Sequence, residues 1–444
     1  MGQDTPGGPW TLTTFTADVT IPLGHPCMGG GIAPAREIVD PLEAIGFVLA
    51  GGDLDKPVVL VSVDWCEIRN EAYDLWRDAL AEVADTHRER VLVTTIHQHD
   101  APVVDPNAQR LLEANGAAGS VCDVAFNEAA VRRVAAALGA SLERPAIPVT
   151  HIGVGRAVVD RVASNRRYPL PDGTISYHRT SASTAPEAHA APEGTIDPWL
   201  SALSFWNEAE PILALNHYAV HPMSYYGQGG VSADFIGMAR RARQREVPGV
   251  VQVYVSGCSG NVTAGKYNDG APANRPVLSS RIEAAMAGAW AATERMPLET
   301  AAVRSVPLRF EPRQGPGYSI AELTERIVSD PDPYGQCLAA MGLSWRLRTE
   351  TGQPIDLPVL DLGRAIVLLL PGEAYVEYQL IAQDLRPDAL VMAIGYGESA
   401  TGYIPTSLQL AEGDENLGDW YWVSDSAERV LTEGLARALG AATR

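Results

Sequence analysis

The sequence predicts an α/β fold, a largely parallel or mixed sheet flanked by helices, with the active site at the carboxyl ends of the strands. Three observations lead there. Apolar runs of strand length alternate with helical patterns along the chain. The 444 residues are 46% hydrophobic and 20% charged, enough to build a sizeable core and outside the range of disordered chains. Reactive side chains fall repeatedly just after the apolar runs. No internal repeat and no clean domain boundary is visible, so residues 1–444 read as one large catalytic unit.

The elements follow in order. Residues 57–64 (PVVLVSVD) read as a buried strand, followed by a helix over 71–83. Residues 90–96 are the next strand, and the Ala-rich stretch 127–142 is a helix. A strand over 211–220 precedes a helix over 234–244, and a strand over 249–256 precedes a helix over 277–292. The pattern closes with strand 364–370, helix 374–385, strand 389–394 and helix 424–439. Residues 163–198, rich in Ser, Pro, Ala and His, read as a long excursion or lid. Residues 268–276 and 413–420 are polar loops, and 303–332 reads as a candidate strand-and-helix insert.

Composition excludes several partners. A net charge of −20 argues against nucleic acid and against stable association with an anionic membrane. Five scattered cysteines make neither a disulfide framework nor a cysteine zinc site. The opening MGQDTPGGPW lacks a basic and apolar leader, and no apolar run approaches the roughly 18 residues that span a bilayer. A cytoplasmic protein acting on a small molecule is expected.

Chemistry gathers at the strand ends. Asp64 ends the first strand; His97 and His99 end the second; His217 and His221 end the third. Ser256, Asn261 and Thr263 follow the fourth, Glu373 the fifth, and Tyr403 lies a few residues past the sixth. Residues two apart in an extended segment share a face, about 6.8 Å apart, so His97 and His99 reach one small site. His217 and His221 are four apart on a strand, about 13 Å, so at most one of them binds a shared metal. His217 reads as a structural histidine. Glu373 reads either as an acid opening a helix or as a ligand. Asp64 and Asp100 are candidate partners that fix the tautomer of a metal-bound histidine. Histidines and carboxylates together suit zinc, which lowers the pKa of a bound water towards about 7.

At these residues the sequence resembles the catalytic domain of the neutral ceramidases. The family's THTHSGP-like segment is TTIHQHDAP here (94–102), and its AVH segment is 219–221, followed by Ala233 and Asp234. Its NRS segment is Asn165, Arg166 and Arg167, its GDVSPN is GNVTAG (260–265), and its PGE is Pro371, Gly372 and Glu373. A YxxYxTTPEEY-like segment is matched loosely by TGYIPTSLQ (401–409). The resemblance implies one zinc per chain, held by His97, His221, Glu373 and Tyr403. It implies that His99 and Arg166 line the substrate site; His99, Tyr403 and Arg166 are the expected catalytic residues, and Asn165, Ser256, Asn261 and Thr263 the expected substrate-binding ones. Here Thr263 replaces the family's serine, Asn261 replaces its aspartate, and no C-terminal β-sandwich domain is expected.

The expected function is therefore a zinc-dependent hydrolase attacking an amide bond of a small soluble substrate, rather than ceramide. An ester or lactone hydrolase on the same site stays open. So do a metal-dependent lyase or isomerase, in which a histidine abstracts a proton beside a polarised carbonyl, and a binding protein without chemistry.

Overall fold

The computed structural model describes residues 8–418 and 420–440. Its strands form three large mixed sheets, each built from one consecutive stretch of chain. The first contains β1 (Thr11–Asp18), β2 (Glu43–Ala50), β3 (Val58–Val63), β4 (Val91–Thr95) and β5 (Ile147–Pro148), in the order β4-β3-β2-β1-β5. The second contains β6 (His151–Val158), β7 (Trp199–Asn207), β8 (Glu210–Tyr218), β9 (Val251–Ser256) and β10 (Glu294–Pro297), in the order β9-β8-β7-β6-β10. The third contains β11 (Ala302–Leu308), β12 (Ile355–Asp361), β13 (Ala365–Leu369) and β14 (Leu390–Ile394), paired in chain order.

The same plan recurs three times. Three antiparallel strands are followed by a helix and a fourth strand parallel to the third. The crossover helices are α1 (Asn70–Val83), α2 (Asp234–Glu246) and α3 (Val376–Leu385). The sequence shows no repeat because what recurs is the order of elements, not the residues. The sheets are mixed and mostly antiparallel, with one parallel pair each. Short connections join the second and third strands of each sheet, Ala50 to Val58, Asn207 to Glu210 and Asp361 to Ala365, and impose antiparallel pairing there, whereas each parallel pair needs a long crossover. Ala302–Leu308, which opens the stretch read as an insert, is the first strand of the third sheet.

Side-chain alternation explains why the site-bearing strands are apolar throughout. On β3, Val58 and Leu60 enter an inner core fed by all three sheets, while Val59, Val61 and Val63 face the helix side. On β13, Val367 and Leu369 point inward and Ile366 and Leu368 outward. A strand buried on both faces reads as a continuous apolar run. The fourth strands of the three sheets then meet end to end. Thr95 N–H donates to the Tyr396 carbonyl (3.2 Å), and Gly395 N–H donates to the Ser256 carbonyl (2.9 Å). Ser256 Oγ donates to the Ile96 carbonyl (2.8 Å), which closes a ring.

Residues 163–198 are packed rather than loose. Tyr168, Ala188 and Ala191 form a small core of their own. Arg179, fully buried, donates to the carbonyls of Asn165 (2.8 Å), Ala188 (3.1 Å), Pro192 (2.9 Å) and Glu193 (3.0 Å). Burial pulls its pKa down to about 10. No helix among the described residues is long and apolar enough to cross a membrane. All five cysteines are free and buried.

Arg179→Ala should cost roughly 2–4 kcal/mol, because each buried acceptor left unpaired costs about 1–3 kcal/mol and entering water recovers part of that. Chemical denaturation measures the loss. Limited proteolysis should then cut first within 163–198.

Candidate metal centre

The ring of strand ends carries the site. His97 lies two residues beyond β4, with φ +66°, so the segment turns there instead of staying extended. The close approach expected of His97 and His99 is present for a different reason. The turn sets their Nε2 atoms 3.4 Å apart. His221 lies three residues beyond β8, its N–H bonded to the Val262 carbonyl at 2.9 Å. Glu373 follows Gly372, whose φ of +58° needs glycine. It does not open a helix: Glu373–Ala374 pairs in parallel with Tyr403–Ile404, Glu373 opposite Tyr403, and α3 begins at Val376.

Three donor atoms converge. Glu373 Oε2 lies 3.1 Å from His97 Nε2 and 3.1 Å from His221 Nε2. Each imidazole is anchored through its other nitrogen. His221 Nδ1 donates to the Ser259 carbonyl at 2.6 Å, and His97 Nδ1 lies 3.3 Å from the Cys66 carbonyl. That tautomer leaves Nε2 to face the carboxylate. The ring of His97 is clamped by Tyr396, stacked at 4.2 Å between centroids and 15° between planes. Tyr396 in turn holds Ser259 through its hydroxyl (2.7 Å).

The charges are tightly balanced. Burial alone would raise the Glu373 carboxyl, but His97 and His221 hold it well below the usual range. Burial lowers His97, yet Glu373 overrides it and leaves the imidazole raised. Burial and the Arg166 charge bring His221 down to about 4. Arg166 donates from Nη2 towards His221 Nε2 (3.1 Å) and from Nη1 to the Tyr403 hydroxyl (2.9 Å).

The donor set fits a small divalent cation. Zinc bonds of about 2.0–2.1 Å place neighbouring ligand atoms of a tetrahedron about 3.3–3.4 Å apart. The 3.1 Å separations need only a few tenths of an ångström of expansion. His97, His221 and Glu373 supply three ligand atoms within reach of one ion. Tyr403, the fourth residue implied by the resemblance, lies beside them in register with Glu373, its hydroxyl engaged by Arg166. Burial raises that phenol strongly and Arg166 partly offsets the rise.

His217 stays out of the site, its Nε2 on the Ala393 carbonyl at 3.0 Å. The other expected contributors turn away. Asp64 binds Arg240 (2.6 and 2.7 Å) and the Glu43 amide, so it orients no histidine. Asp100 accepts from the Gly227 amide at 2.9 Å. Asn165 caps its own segment through the Arg167 amide and the Thr195 carbonyl. Ser256 closes the ring of strand ends. Asn261 accepts from the Val376 amide at the start of α3 and donates to Glu377. Thr263 binds the carbonyls of Arg179 and Thr180. Backbone groups where strands turn must be paired when buried, and these short polar side chains do that work.

Sequence reasoning missed Glu67. This fully buried carboxylate has Oε1 4.0 Å from His97 Nδ1 and 3.2 Å from Trp420 Nε1. Burial raises it to about 7, against the opposing charge of Arg69. Its position three residues after Asp64, just past a strand end, is the only signal. Above the three ligand atoms opens a cavity of about 310 Å³, walled by Met28, Tyr334, Leu338 and Trp420, with His99 and Tyr403 at its foot.

Glu67→Gln should leave the fold intact and, by removing a buried negative charge 4.0 Å from His97 Nδ1, weaken metal binding by up to about 10-fold, the low end of what an outer carboxylate contributes when it hydrogen-bonds the histidine directly. A competition titration with a chromophoric chelator measures it. His217→Ala should retain full metal affinity in the same titration.

No protein-family model matches the chain, and no curated protein matches it in sequence. Solved structures do match. Neutral ceramidase from Pseudomonas aeruginosa superposes with a TM-score of 0.70 at 16% identity, over 98% of this chain and 75% of the ceramidase. A ceramidase complexed with C2 gives the same TM-score and identity, over 98% of this chain and 76% of its own. At that identity the likeness establishes architecture: the chain has the neutral ceramidase fold.

Proposed function

We propose that this protein is a zinc-dependent hydrolase that cleaves the amide bond of a small soluble substrate. The observation that carries the reading is the convergence of His97 Nε2, His221 Nε2 and Glu373 Oε2, with His97 and Glu373 lining a walled cavity. The ceramidase fold supports it. One zinc per chain would be held by His97, His221, Glu373 and Tyr403. Zinc, when bound, supplies a water activated at neutral pH and a Lewis acid for the carbonyl.

The chain's own groups do the rest. Hydrolysis joins the water oxygen to the carbonyl carbon, breaks the C–N bond and delivers a proton to the departing amine. His99 faces the cavity, and burial together with the neighbouring His97 and His221 keeps it neutral. A neutral imidazole both hydrogen-bonds a developing oxyanion and relays a proton. Arg166 orients the Tyr403 hydroxyl and stabilises negative charge on it. Tyr396 and the Ser259 carbonyl keep two imidazole rings in position. The five buried free thiols are compatible with a reducing compartment, and a cytoplasmic location is part of the proposal.

Zinc content and turnover, measured together, test the reading. The wild type should carry about one zinc per chain and lose activity to a chelator. Glu373→Gln keeps the volume and removes the charge, so it should stay folded, bind zinc weakly and turn over at least 100-fold more slowly. Tyr403→Phe should keep most of the zinc and lose activity. A Glu373→Gln protein with wild-type zinc and turnover would remove Glu373 from the site.

A further inference from the structure

The cavity above the three ligand atoms carries information about what enters it. Its walls are Met28, Tyr334, Leu338 and Trp420, and its rim is Glu415, Asn416 and Gly418. Among the described residues that line it there is neither lysine nor arginine. The guanidiniums near it are walled off. Arg69 is fully buried, with Trp420 and Trp422 at 5.6 and 4.4 Å from its guanidinium carbon. Arg166 is bound to Tyr403 and His221. Arg313 is engaged with the carbonyls of Gly418 and Tyr421, and Arg167 with Glu412. The one charged side chain on the rim is a carboxylate, Glu415, which takes a bond from His178 Nε2 at 2.8 Å and remains largely exposed.

We propose that the substrate is an amide with a compact apolar or aromatic body, bearing either no charge or a positive charge at the end away from the scissile bond. Glu415 sets that preference. This rests on the amide reading above and deepens it. An anionic terminus would enter without a cation to receive it and would meet Glu415 at the rim. The net charge of −20 opposes its approach from a distance as well. A cationic terminus can share Glu415 with His178. The walls supply a surface for an alkyl or aromatic group, and about 310 Å³ lies at the small end of ligand cavities, which excludes a long chain held entirely inside.

Three probes on one scaffold test it: N-butanoyl benzylamine, its para-aminomethyl derivative and its para-carboxylate. Turnover by the zinc-loaded enzyme should give kcat/KM at least tenfold lower for the carboxylate than for the other two. In Glu415→Lys, a substitution at an exposed position, the carboxylate should gain on the cationic probe by at least tenfold. Calorimetric binding of the same probes to metal-stripped protein should follow the same order without any chemistry. If none is hydrolysed but binding keeps this order, the amide reading falls and the charge selection stands. Equal binding of all three, tighter binding of the carboxylate, or a Glu415→Lys protein with unchanged preference would overturn the proposal.

Discussion

Everything at the centre depends on a ring of three hydrogen bonds where the fourth strands of three sheets meet. Thr95 reaches the carbonyl of Tyr396, Gly395 that of Ser256, and Ser256 that of Ile96. Each sheet contributes one edge, and no sheet holds the ring by itself. Because the third and fourth strands of each sheet run in parallel, their carboxyl ends point to the same place. The loops that leave those ends therefore converge. The first sheet sends His97, the second His221 and the third Glu373 and, farther on, Tyr403. An open α/β sheet makes a crevice where strand order reverses.

That arrangement buries charge, and charge is costly to bury unless paired. The fully buried Glu373 survives because His97, His221 and Arg166 surround it. The same logic runs outward. Glu67 is balanced by Arg69 at 2.9 Å, and Arg69 by Asp105 and by the faces of Trp420 and Trp422. Trp420 is both the cavity wall and a donor to Glu67, which faces the far nitrogen of His97. Trp420 is thus hydrogen-bonded to a carboxylate that lies 4.0 Å from the His97 ring.

How much of this was legible in the sequence follows from how strands are buried. β3, β4, β8, β9, β13 and β14 read clearly because both of their faces are covered, and these are the strands that carry the site. β1, β6, β7 and β11 mix polar and apolar residues, as TLTTFTAD does, and gave no continuous run. These strands, and with them the threefold plan, were therefore invisible, whereas β2 (EAIGFVLA), buried on both faces, was a legible apolar run missing from the expected elements. At the strand ends the sequence located the site but not the direction of each side chain. Asp64 and Asp100 stand within three residues of Glu67 and His97, yet both serve the surrounding backbone and Arg240. Tyr403 carries no local signal at all. Only its register opposite Glu373, a pairing across 30 residues, brings it to the centre.

The backbone at the convergence is itself strained. His97 and Tyr396 both adopt positive φ, +66° and +57°, and Gly372 adopts +58° immediately before Glu373. Two non-glycine residues in that region cost about 1–3 kcal/mol each, and such costs persist only where the surroundings over-determine them. Here the surroundings do. The His97 amide is held by the Trp65 carbonyl at 3.0 Å, the Tyr396 amide by the Gly372 carbonyl at 3.1 Å, and the two rings are stacked on each other. Glycine at either position would relieve the strain and lose the ring that the turn exists to present. Positive φ at the end of a strand lets the chain leave sharply, so that an imidazole points across the axis of convergence instead of along its own sheet. The strain is the local cost of bringing side chains from three separate sheets to within about 3 Å of one another.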